Sequence, residues 1–119
     1  MIFAKNADTD VLAIKTVEGK AIAGSLLIKP LIEGEEMTLM EIQLSAGVSS
    51  PPHAHDHESL VYVVKGKLKA VVGDRTLVLG PGDVCRRPRD VSHFLEALDN
   101  STFVEIKSPA VDLMRILGT

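Results

Sequence analysis

The sequence has a single cysteine, and it has no surplus of basic charge, no long apolar run and no internal repeat. Each absence removes a class of protein. A lone thiol, Cys85, cannot close an internal disulfide, and such a residue is more often a small buried apolar group than a nucleophile. Thirteen lysines and arginines stand against sixteen acidic residues. This balance argues against a nucleic-acid partner, because binding a phosphate backbone leaves a basic footprint; Arg86, Arg87 and Arg89 are the only local exception. No stretch approaches the roughly 18 apolar residues of a membrane span, and MIFAKNADTD lacks the basic-then-apolar order of a signal peptide. The chain therefore reads as soluble and cytoplasmic, with no membrane partner. At 119 residues it can bury one core and is expected to be one domain, 1–119.

What is present is a succession of short apolar-polar alternations punctuated by glycine and proline. IFAKN and VLAIKTVEGKAIAGSLLIKP read as short strands ending at Pro30. A turn over Leu31 to Glu36, centred on Gly34, precedes the strand MTLMEIQL, with Met40, Ile42 and Leu44 on one face. After SAGVSSPP, the β-branched run through Val64 reads as a strand ended by Gly66. KLKAVVGDRTLVLG reads as a hairpin turning at Gly73-Asp74. Gly80 to Asp83 forms another turn, and VCRRP, HFLEAL and STFVEIK follow as strands. Only PAVDLMRILG has helical spacing. Nine or ten short strands at this spacing predict an all-β sandwich or barrel with a short C-terminal helix.

Three of the four histidines, His53, His55 and His57, lie within five residues. A His-x-His pair on an extended segment turns both rings to one face, and a chain folding back on itself can bring His93 to them. A divalent metal needs imidazole nitrogens converging at about 2.0–2.1 Å. Three such ligands suit zinc, iron, copper or nickel rather than magnesium or calcium. The competing reading is solvated loop histidines beside two prolines. A straight strand over residues 53–59 would span about 20 Å, so the chain must bend near Asp56.

These residues resemble the small single-domain cupins of the cupin 2 type. The first cupin motif is a glycine, five residues, His-x-His, three or four residues, an acidic or amide ligand, six residues and a glycine. Gly47, His53, His55 and Gly66 fit it. Gly82, Pro88, Asp90 and His93 match the second motif more loosely, with Asp90 in place of its glycine and Ala97 where an asparagine is often found. The resemblance spans roughly residues 35–109 and implies a jelly-roll β-barrel. It also implies a divalent transition metal, Zn, Fe, Mn, Ni or Cu, held by His53, His55 and His93. The usual carboxylate or amide ligand falls on Ser59, and Glu58 lies one place early, on the opposite face of a strand. His57 is a substitute ligand, a pocket acid or base, or an exposed side chain.

Arg86 and Arg87 are adjacent on a strand, so only one can point inward. Either both lie at the rim, or one binds a substrate carboxylate; with Ser59 they are the ligand-binding candidates. Tyr62 faces away from residues 59, 61 and 63. The close EIKSPAVDLM is similar to that of uronate-converting small cupins. Three functions remain open: a metal-dependent enzyme acting on a small, sugar-acid-like molecule, with isomerase or lyase chemistry; an oxygen-dependent dioxygenase; and a non-catalytic ligand- or metal-binding cupin. Apolar segments at the N-terminus and in the tail predict a homodimer.

Overall fold

The computed structural model describes residues 1–17 and 20–110. Their strands form two antiparallel sheets and one small hairpin. The large sheet runs in the order β1 (Leu12–Ala13), β4 (Leu26–Glu33), β5 (Thr38–Leu44), β11 (Ser101–Ser108), β6 (Glu58–Lys65), β9 (Val84–Arg87). The small sheet runs β10 (His93–Ala97), β7 (Leu68–Val72), β8 (Arg75–Leu79), and β2 (Thr16–Val17) pairs with β3 (Lys20–Ala21). Apolar residues from both sheets, among them Met40, Ile42, Val61, Val63 and Phe103 from the large one and Leu68, Ala70, Leu79, Leu95 and Ala97 from the small one, bury into a single core. This is the jelly-roll barrel of the cupin type. No helix among the described residues is long and apolar enough to cross a membrane.

The alternation read in MTLMEIQL holds: Thr38, Met40, Ile42 and Leu44 are buried while the residues between them are only partly covered. Two expectations at the N-terminal side fail. Met1 to Lys5 form no strand, and Ile2 and Phe3 are 82% and 87% exposed, so their apolar side chains gain no burial that would favour an extended pairing. The strand expected to end at Pro30 continues to Glu33. Proline lacks a donor for the ladder, and the sheet accommodates it with a register shift between Pro30 and Ile32 rather than by stopping. The helix expected over PAVDLMRILG falls on residues 109–118, almost wholly outside the described residues.

The turn after β6 requires its glycine. Gly66 sits at φ +95°, and a Cβ there would lie 2.3 Å from Ser101 Oγ and 2.6 Å from the Asn100 carbonyl oxygen. Any side chain at this position would meet backbone as well as an unfavourable φ.

Register gives the barrel interior two distinct ends. Thr38, Lys107, Ser59 and Arg87 lie side by side across β5, β11, β6 and β9, and all four are buried. The next inward row is Met40, Glu105, Val61 and Cys85, and the one after it is Ile42, Phe103 and Val63. The charged side chains buried on these strands, Lys107, Arg87 and Glu105, are thus gathered at one end, with mainly hydrocarbon beyond them.

Candidate metal centre

The histidine segment enters through Pro51 and Pro52, which hold the backbone extended. His53 and His93 then form an isolated antiparallel bridge, the His53 N–H donating to the His93 carbonyl at 3.1 Å and the His93 N–H returning to His53 at 2.8 Å. This reciprocal pair sets the rings side by side, with centroids 4.5 Å apart. The chain bends at Asp56 and His57 before β6 begins, as the length of a straight strand demanded.

The ligand nitrogens of His53, His55 and His93 lie within 4.8 Å of one another. Two of these rings are oriented by backbone oxygen. His53 Nδ1 is 2.8 Å from the Pro51 carbonyl and His93 Nδ1 is 3.2 Å from the Val91 carbonyl. A ring nitrogen facing a carbonyl must carry the proton, which leaves each Nε2 lone pair for a metal. Burial, reinforced by the Lys107 ammonium, lowers His55 to about 3. Burial and then the Arg87 guanidinium lower His93 to about 4. Both are therefore neutral near pH 7, the form in which imidazole binds a metal. The donor set fits a divalent transition metal.

The loop carrying His93 explains a departure from the family pattern. Asp90 occupies the motif's glycine position and has φ 62°, in the left-handed region that glycine favours and aspartate tolerates. Its N–H donates to the His55 carbonyl at 2.7 Å, so this turn ties the second motif to the first.

His57 lies outside the three-histidine group. It is buried, stacks on His55 with centroids 4.6 Å apart, and has Nε2 3.4 Å from Lys107 Nζ. Burial and then the Lys107 charge lower its pKa, so it is neutral and accepts a hydrogen bond from the ammonium. Arg87 and Arg86 part company as strand geometry requires. Arg87 points inward, donating to Ser59 Oγ at 2.8 Å and to Glu105. Arg86 points outward, 64% exposed and paired with Glu58 at 2.6 Å, so of the two arginine candidates Arg87 is the one that faces the barrel interior. Ser59 is buried, and its hydroxyl accepts from Arg87. Tyr62 is half exposed on the outer face.

Two buried residues near the site were not anticipated, Glu105 and Lys107 on β11. Glu105 accepts from Arg87 through one oxygen and lies 3.3 Å from Lys107 Nζ through the other. Its burial alone would raise its pKa, but the two cations outweigh that and hold it down at about 2.

The cupin domain model matches residues 40–106, more than half of the chain. The chain belongs to the cupin family. No curated protein sequence matches it. Among solved structures, this cupin resembles an RmlC-like cupin from Shewanella frigidimarina, with 24% identity, 96% of each chain covered and a TM-score of 0.82. It also resembles KdgF from Halomonas sp., with 25% identity, 94% of this chain and 98% of that one covered, and a TM-score of 0.81. A third, named as a predicted oxalate decarboxylase, from Thermotoga maritima, shares 16% identity with a TM-score of 0.80 over 91% of this chain and 99% of its own. That likeness shows the fold alone. What the cupin carries within that fold is a three-histidine group that could hold a metal.

Proposed function

We propose that this cupin is a metal-dependent enzyme acting on a small anionic, sugar-acid-like molecule held at the polar end of its barrel. The observation that carries the proposal is the convergence of His53, His55 and His93 at that end, beside two buried cations and one buried anion, Arg87, Lys107 and Glu105. A divalent metal there would supply Lewis acidity, polarising a carbonyl or carboxylate oxygen. Ser59, held by Arg87, leaves the position of the family's fourth ligand without a carboxylate, so coordination sites stay available to water or substrate. His57 is a weak base beside the Lys107 charge and serves to hold that ammonium in place. The structural likeness to KdgF and the chain's resemblance to uronate-converting small cupins favour isomerase or lyase chemistry.

The test is metal analysis of the purified protein followed by a screen of unsaturated uronates and catechols. Turnover of a uronate that disappears with chelator and returns with one metal is the expected result. A protein that retains no metal and turns over nothing would remove the enzyme reading in favour of a non-catalytic binder.

We also propose that the cupin works as a homodimer whose partner copy covers the outer face of the large sheet. Leu60, Tyr62, Val84, Val104 and Ile106 line an apolar groove of about 440 Å³ there, and Leu60, Tyr62 and Val84 are 47%, 51% and 64% exposed. The same chain leaves Met1, Ile2 and Phe3 uncovered, so one copy supplies both the groove and an apolar segment able to fill it. A twofold contact uses both at once. Light scattering at micromolar concentration is expected to give a dimer mass, and Tyr62→Glu a monomer mass. A monomeric wild type would count against the arrangement.

A further inference from the structure

The polar row beside the histidines holds a charge that the metal site does not require. Thr38, Lys107, Ser59 and Arg87 stand next to one another across four strands, and Glu105 sits one row deeper. Glu105 is the only carboxylate among the buried residues described, against two buried cations. One positive charge is therefore in surplus out of water, and a bound metal adds to it. Buried charge is stable only when paired, so the pocket is built to be completed by an anion.

The two cations are committed to different degrees. Arg87 donates from Nε to Ser59 and from a terminal nitrogen to Glu105, which fixes its planar fork along the sheet. Lys107 places Nζ 3.3 Å from Glu105 Oε2 and 3.4 Å from His57 Nε2. An ammonium has three donors, and these contacts engage two. His57 stacks directly on His55, so the ammonium stands one ring away from the metal ligands. Its compact charge on a flexible stem can follow a ligand where a locked fork cannot.

We propose that Lys107 is the anchor for a carboxylate on the molecule bound at the metal centre, and that its charge selects anionic over neutral ligands. The proposal rests on the reading of the pocket as a metal-dependent site for a small anion. It assigns Arg87 a positioning role: by sharing Glu105, Arg87 keeps that carboxylate from neutralising Lys107 completely.

The test uses the full chain loaded with zinc, with glucuronate as the probe and glucose as its neutral counterpart, read by isothermal titration calorimetry. Lys107→Met and Lys107→Gln are expected to weaken glucuronate binding by about tenfold or more. Zinc content and the response to glucose should stay at wild-type values. Should both substitutions unfold the chain, the wild type carries the same test: with ¹⁵N-labelled lysine, the Lys107 Nζ resonance should shift on adding glucuronate and not on adding glucose. Glucuronate affinity that survives both substitutions overturns the proposal, as does a silent Lys107 resonance or a wild type that does not bind glucuronate. A chain that takes up no zinc but still loses carboxylate binding with Lys107 would sink the metal reading and leave the anchor standing.

Discussion

Replacing His93 by alanine is expected to empty the metal centre, whereas Ser59→Ala is expected to leave the metal content of the dialysed protein unchanged. His93 brings one of three converging imidazoles, and its backbone bridge to His53 survives the truncation, so the loss is that of a ligand and not of the loop. Removing even a group that merely supports a ligand costs about 10–100-fold in affinity. Losing one of three ligands should reach at least the upper end of that range. The Ser59 hydroxyl, by contrast, is directed to Arg87, and a neutral hydroxyl is a poor ligand beside imidazoles. Elemental analysis of both variants decides the matter. If Ser59→Ala empties the site as thoroughly as His93→Ala, the assignment of ligands is wrong.

Glu105→Gln is expected to be the most destabilising of the conservative changes at the polar end. It leaves Arg87 and Lys107 buried together with no carboxylate between them, and uncompensated buried charge of this kind costs about 3–5 kcal/mol. The pH dependence carries the signature. Glu105 has its pKa depressed from 4.5 in the unfolded chain to about 2 in the folded one, so its contribution is fully present above 4.5 and is lost as pH falls toward 2. The gap between wild type and Glu105→Gln should therefore be widest near neutrality and narrow between pH 4.5 and 2. Urea denaturation of the metal-free proteins at pH 7 and at pH 3 measures it. A gap that stays constant over that interval would place the cost of the substitution somewhere other than the ion pairs.

The histidines were legible because metal ligation constrains residue type and spacing together: His53, His55 and the two flanking glycines stand where the fold needs them, and His93 meets them by backbone pairing. Glu105 and Lys107 were not. In STFVEIKS the apolar Val104 and Ile106 suggest the core face and the charged residues the solvent face, yet Ser101, Phe103, Glu105 and Lys107 are the buried set. Phe103, out of phase with Val104 and Ile106, was the only local sign. What decides the orientation is register with Ser59 and Arg87 on strands remote in sequence, which periodicity within one segment does not carry. The strand through Pro30 was hidden for a related reason, since its pairing partner on β5 and a bulge override the local stop signal.

The carbonyl contacts that orient His53 and His93 come from two residues earlier in each histidine's own loop, and the barrel buries an apolar core of its own away from them. A chain with such a core is expected to fold whether or not a metal binds, unlike small zinc modules where binding free energy is folding free energy. The polypeptide would complete its barrel first and take a metal afterwards, so the ion it carries would follow from what its surroundings supply and from the order of divalent affinities. One chain expressed in different growth media could accordingly yield differently loaded, equally well-folded preparations.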